Sequence, residues 1–107
     1  MEGHAQISTD ILASYAADAA VEVEGVRALV VPERGRWRHQ GVRVTDDEGA
    51  VTVELHLEVD WGASVPELGR AVQMRVAEYL ARMAEITPRA VDVVVDAVGP
   101  PPEVVST

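Results

Sequence analysis

The residues best suited to chemistry occur at every second position of one short stretch: Glu54, His56, Glu58 and Asp60. A β-strand would place all four side chains on one face of a sheet. Carboxylates beside a histidine can ligate a divalent cation or transfer protons, so a metal-binding or small-molecule-binding face is one interpretation. The plainer interpretation, which the spacing favours, is the polar half of an amphipathic strand. Asp92 and Asp96 would join this face if the last strand lies beside it.

A second candidate site is the only basic segment of the chain, which contains Arg34, Arg36, Trp37, Arg38 and His39. Its arginines could bind an anion or an acidic protein partner, with Trp37 as a stacking or anchoring group. Arginine interleaved with an aromatic residue also occurs in single-stranded RNA sites, which makes RNA binding a weaker alternative. An ordinary solvated surface loop is the simplest interpretation.

The composition argues against several classes of function. The formal net charge is −9, which disfavours nucleic acid because neutralisation of phosphates supplies most of the nonspecific binding energy. There is no cysteine, and the three histidines have no metal-site spacing. No serine lies in a nucleophile-elbow context. We therefore assign no catalytic, cofactor-binding or metal-ligating residue and predict that the chain is not an enzyme and needs no cofactor.

The chain has no apolar run close to the roughly 20 residues that span a bilayer, so direct membrane insertion is not expected. Residues 1–5 lack the basic segment and apolar run of a secretion signal. We predict a cytoplasmic protein that reaches a membrane only through a partner.

The elements that would position these residues are visible in the hydrophobic periodicity. Ser8 or Thr9 is the expected N-cap of a first helix, and Gly25 its left-handed end. Ser64 and Glu67 have the spacing of a capping box for a second helix, whose predicted apolar stripe is Val65, Leu68, Val72, Val76, Tyr79, Leu80 and Met83. The predicted strands are 5–8, 26–31, 42–45, 51–60 and 91–98, with a turn at 46–49.

The predicted order is (β)-α-β-β-β-α-β, which defines an α+β fold with two layers. A mixed β-sheet with both helices on one face would bury every apolar stripe. Residues 1–98 are predicted to form a single domain, and the proline-rich residues 99–107 a flexible C-terminal tail. The helix-free face would carry Leu29, Val31 and Val94 among its charges, which are candidate contacts for a partner or a second copy.

Several short motifs occur together in a specific order along the chain. They are Gly25-Val26, Gly41-Val42-Arg43-Val44, the alternating apolar residues 51–59, Asp60-Trp61-Gly62, residues 65–76, Met83, and Val91-x-Val93-x-Val95. Over about residues 5–98 this pattern resembles the alkaline shock protein family of bacterial cell-envelope stress-response proteins. Trp61 stands where tyrosine is commoner, and residues 83–86 lack a glycine often present there. Functions that terminal extensions carry in some members are not expected here.

The resemblance implies a small, non-enzymatic cytoplasmic protein that supports cell-envelope homeostasis. It implies recruitment by a protein partner, such as a small membrane-anchored protein, together with self-association into a homo-oligomer. The family defines no catalytic residues, so the resemblance assigns none to this chain. The partner-binding residues predicted here are therefore the loop residues Arg34, Arg36, Trp37 and Arg38 and the sheet residues Leu29 and Val31.

Overall fold

The structure is a computed structural model that describes residues 7–32 and 41–101. The elements are α1 (Thr9–Val21), β1 (Val26–Leu29), β2 (Val42–Asp47), β3 (Ala50–Val59), α2 (Val65–Ala84) and β4 (Ala90–Val98). Their order agrees with the prediction except for the first strand. Ile7 and Ser8 belong to no strand, and residues 5 and 6 lie outside the described residues.

The core is built on β3, whose side chains alternate between buried and partly exposed. Its core-facing side chains are at most 3% exposed, and they are Val51, Val53, Leu55, Leu57 and Val59. Burial of each such side chain stabilises the fold by about 1.5–3 kcal/mol. Buried residues of both helices belong to the same hydrophobic cluster. Both helices therefore cover one face of the sheet, as predicted.

The sheet is mixed, because β3 has neighbours of both directions. β1 and β2 pair with it antiparallel, whereas β4 pairs with it parallel after the crossover through α2. The four strands and the single helical layer confirm the predicted two-layer α+β fold.

β1 and β2 are two parts of one interrupted edge strand. β1 pairs with the C-terminal half of β3, and β2 continues along the same edge beside the N-terminal half. The two parts meet at His56, whose carbonyl accepts from the Val30 N–H at 2.9 Å and whose N–H donates to the Gly41 carbonyl at 2.8 Å. The chain therefore leaves the sheet after Val30 and returns to it at Gly41, beside the same residue of β3.

A β-bulge at Arg27 changes which side chains of β1 face the core. Val26 is opposite Val59. Ala28 is two residues further along β1, but its partner Glu58 is only one residue from Val59 along β3. Leu29 therefore packs against the core instead of lying on the helix-free face. Its predicted position was wrong because an extra residue in a strand reverses the alternation of faces beyond it.

The hairpin between β2 and β3 is tighter than predicted. Asp47 pairs with Ala50, so only Glu48 and Gly49 form the turn, with φ of 51° and 93°. Two consecutive positive φ values are the geometry of a type I′ turn, which matches the twist of the flanking strands. The positive φ expected at Gly49 is confirmed, whereas Asp46 and Asp47 belong to β2.

Helix α1 begins as predicted and ends earlier than predicted. The Ser8 hydroxyl accepts from the Ile11 N–H at 3.2 Å, so Ser8 is the N-cap. The last helical residue is Val21, and its C-cap Glu22 is right-handed. Gly25 does have a positive φ of 100°, but it lies in the turn that leads into β1.

Helix α2 differs from the prediction at its start. Ser64 is the N-cap residue, but its side chain makes no capping hydrogen bond, so the capping box with Glu67 is not formed. The buried residues are Leu68, Val72, Val76 and Leu80, as predicted. Val65 and Met83 are exposed, because they lie in the first and last turns.

Candidate functional site

The helix-free face of the sheet, here called the open face, carries three columns of mainly polar side chains. The register places Thr52, Glu54, His56 and Glu58 on this face in the central column, from β3. The β4 column is Asp92, Val94 and Asp96, and the column from β1 and β2 is Arg27, Ala28, Arg43 and Thr45. No element of the described residues covers this face.

At its centre, His56 is held between two carboxylates that come from different strands. Its Nδ1 lies 2.6 Å from Asp96 Oδ2, and its Nε2 lies 2.7 Å from Glu54 Oε2. The imidazole is largely buried, with 12% of the side chain exposed. Parallel pairing of β3 with β4 brings Asp96 within reach, since His56 and Val94 are directly opposite.

This geometry selects the protonated form of His56. An ionised carboxylate can only accept hydrogen bonds, and both ring nitrogens donate only in the imidazolium. In the neutral ring, one nitrogen would present its lone pair to a carboxylate oxygen. The cluster therefore holds one positive charge between two negative charges.

The pKa of His56 is raised as a result of competing effects. Burial of the ring disfavours the charged form and is the largest single influence, acting to lower the pKa. The hydrogen bonds to Glu54 and Asp96, with the negative charges of both groups, together outweigh it. The pKa of His56 consequently lies above its ordinary value of about 6.5.

Arginines balance the remaining charge on the β1–β2 side of the open face. Arg27 Nε lies 2.9 Å from Glu58 Oε2. Arg43 is opposite Glu54 on one side, and Asp92 is opposite Glu54 on the other. At the level of Glu54 the open face is thus basic on the β2 side and acidic on the β4 side, whereas the Arg27 side chain extends across β3 to Gly99.

The geometry does not support the interpretation of this face as a metal site. Both ring nitrogens of His56 are engaged by carboxylates, and Glu58 pairs with Arg27. In the described part of the chain, no group of three or more potential ligands is arranged to hold an ion. Asp60 does not belong to this face, because it follows the end of β3 and its N–H donates to the Gly25 carbonyl.

The predicted partner-binding residues fall into three groups. Arg34, Arg36, Trp37 and Arg38 lie outside the described residues, so their role remains a prediction. Val31 is 50% exposed but lies beyond the end of β1, and Leu29 faces the core. Val94 lies on the open face with 36% of its surface exposed, as predicted.

An open groove of about 460 Å³ lies beside Trp61, where β3 leads into α2. Its acidic lining residues are Glu24, Asp60 and Glu67, and the Trp61 side chain is 59% exposed. The sequence analysis identified Trp61 and Gly62 only as part of a family motif. These two residues lie near Glu24 because α2 packs on the turn that follows α1. No local sequence pattern predicts that packing.

The fold and the open face define a small α+β domain with an ordered, charged and uncovered sheet surface. The chain belongs to the alkaline shock protein 23 family, described as having a cell envelope-related function, which it matches over residues 1–100. The resemblance drawn from the sequence motifs is thereby confirmed. No helix in residues 7–32 or 41–101 is long and apolar enough to cross a membrane.

Among curated proteins, the chain is similar to the uncharacterized protein YqhY of Bacillus subtilis (strain 168). The two are 27% identical over an alignment of 93 residues, and the match covers 79% of this chain and 69% of that protein. Among solved structures, one MamM CTD variant has a TM-score of 0.62 at 18% identity, covering 85% of this chain and 84% of that one. A second MamM CTD variant, in a manganese form, has a TM-score of 0.59 at 22% identity, covering 84% and 99%. At these identities the likeness establishes a shared fold.

Proposed function

We propose that this chain is a non-enzymatic protein–protein interaction module of bacterial cell-envelope homeostasis. It acts in the cytoplasm, associates with itself and is recruited to the membrane by a membrane-anchored protein partner. The cell envelope-related function of its family supports the setting. A role in the response to envelope stress belongs to the same proposal.

The observation that carries the proposal is the open face with its His56 cluster. Each charged group described at its centre has a partner on the same face, so these side chains are held in place before any binding event. A surface that is already ordered loses little conformational entropy on association. Complementary charges on such a surface provide specificity and correct orientation of the partner. The open face therefore suits recognition of another protein.

The residues 34–38 are the second part of the proposal. Arginine and tryptophan are enriched at the energetically dominant positions of protein interfaces, and this segment contains three arginines and Trp37. We assign to it the contact with the membrane-anchored partner. Because the rest of the chain is acidic, this basic segment would be the part that attracts an acidic surface of the partner.

The test is cell fractionation of the native host expressing the tagged chain. The proposal expects the chain in the membrane fraction, released by detergent together with a membrane-spanning protein. The triple variant Arg34→Glu, Arg36→Glu, Arg38→Glu should move to the soluble fraction. A control with the same charge change in α2, Arg70→Glu, Arg75→Glu, Arg82→Glu, should remain with the membrane. A wild-type chain found wholly in the soluble fraction would overturn recruitment to the membrane.

A further inference from the structure

The open face carries a charge order that complements itself. Arg43 and Asp92 lie on the two sides of Glu54, at the same level along the strands. Near Glu58 this order is not repeated, because the Arg27 side chain extends from β1 past Glu58 to Gly99, which follows β4, the strand that also carries Asp96. At the level of Glu54, one edge of the face is therefore basic where the opposite edge is acidic.

We infer that the open face binds a second copy of this chain face to face, around a two-fold axis parallel to β3. This inference rests on the proposed self-association and names its surface. Such an axis exchanges the two edges and keeps the level along the strand. Arg43 of one copy then lies over Asp92 of the other.

The alternative two-fold axis, which runs across the strands at the level of His56, is disfavoured by the same charges. That axis keeps each column over itself and reverses its direction. It would place Asp92 over Asp96, which opposes like charges on the β4 edge. Like charges opposed across an interface are costly and exclude that arrangement.

The central column is compatible with the axis parallel to β3 because its charges are balanced within each copy. Along this axis Glu54, His56 and Glu58 lie over their own symmetry mates. The His56 ring is bonded to Glu54 and Asp96, and Arg27 is bonded to Glu58. These internal partners reduce the repulsion between the facing glutamates.

The size of the surface predicts a weak dimer. Three columns about 4.8 Å apart and a central strand of ten residues give a patch of roughly 14 by 33 Å on each copy. The area buried by two such patches is about 900 Å², below the roughly 1,200 Å² at which stable specific interfaces begin and within the range of weak, transient ones. Sheet-on-sheet packing at about 10 Å leaves room for arginine and aspartate side chains to meet between the copies.

The experiment is a charge-exchange cycle measured by sedimentation equilibrium in about 0.15 M salt, where the long-range repulsion between acidic copies is screened. Arg43→Glu and Asp92→Arg should each weaken dimerisation by about tenfold or more, because two contacts per dimer become repulsive. The double variant carrying both substitutions restores opposite charges and should recover the wild-type dissociation constant within about threefold.

Matched controls place the same charge changes on the helical layer. Arg70→Glu in α2 and Asp18→Arg in α1 are exposed and should leave the dissociation constant unchanged. Far-ultraviolet circular dichroism shows whether each variant is folded. A wild-type dimer that both single variants leave intact, or that the double variant fails to restore, overturns this interface while self-association stands. A wild-type chain that remains monomeric at millimolar concentration overturns self-association itself.

Discussion

The carbonyl oxygen of Val30 lies 2.7 Å from the position that a Cβ atom would take on Gly41. This contact lies at the point where the chain leaves the sheet after β1 and returns to it before β2. Gly41 also has a φ of 73°, and both conditions exclude a side chain. The glycine is therefore required by the way in which the edge strand is interrupted.

Replacement of Gly41 by alanine should destabilise the fold by about 2–4 kcal/mol, from left-handed strain together with the clash with the Val30 carbonyl. Urea denaturation measures the free energy of unfolding. The matched control is Gly49→Ala, which has a φ of 93° but no atom within 4 Å of a new Cβ, and should cost about 1–2 kcal/mol. Equal losses in the two variants would show that the contact with Val30 contributes nothing.

His56 should make the stability of the protein depend on pH. Its folded pKa is raised, so the stability that it contributes is complete below its ordinary pKa of about 6.5 and is lost as pH rises through the folded pKa. The free energy of unfolding, measured by urea denaturation from about pH 6 to 9, should fall more for the wild type than for His56→Gln.

The charged groups around His56 are Glu54 and Asp96, which bond to it, with Glu58, Asp92, Arg27 and Arg43 on the same face. His56 has the ordinary pKa closest to neutral pH among side-chain types, so the substitution is made there. The double variant His4→Gln, His39→Gln is the control and should retain the wild-type pH dependence. Parallel curves for the wild type and His56→Gln would contradict the stabilising role of the cluster.

The two serines that precede the helices should respond differently to substitution. Ser8→Ala removes the hydrogen bond to the Ile11 N–H and should cost about 1 kcal/mol. Ser64→Ala removes no capping bond and should change the free energy of unfolding by less than about 0.5 kcal/mol. Thermal unfolding of both variants provides the comparison, and an equal loss at Ser64 would restore the capping box predicted from the sequence.

The two faces of the sheet should differ in the cost of truncation. Leu55 is fully buried, so Leu55→Ala should destabilise by about 2–5 kcal/mol through lost contacts and a residual cavity. Val94→Ala on the open face should change stability by about 0.5 kcal/mol. If the open face forms the interface between copies, the dissociation constant of the Val94→Ala variant also tests the edge of that interface.

Much of the fold follows from local patterns in the sequence. The two-residue alternation of β3 identified the central strand and its buried face, because that strand has no bulge in its pairing with β2. The helical spacing of the apolar residues identified α2 and four residues of its buried face. Glu54 and His56 were identified as neighbours because they belong to the same strand.

Three of the features that the sequence did not predict share one physical origin, since each concerns a contact between segments distant in the chain. The bulge at Arg27 is fixed by pairing with β3, so the side of the sheet that Leu29 occupies could not be deduced from β1 alone. The meeting of Val30 and Gly41 at His56 depends on the same pairing. The partnership of Asp96 with His56 required the parallel register between β3 and β4.

The crossover through α2 has a consequence for the order in which the protein folds. The hairpin of β2 and β3 is closed by a two-residue turn, and such units form in about 1–10 μs. Pairing of β4 with β3 must first close a long loop, because His56 and Asp96 are 40 residues apart, and that entropy is lost before any contact is gained. We expect the bond between these two residues to be among the last to form, so that the His56 ring reports completion of folding.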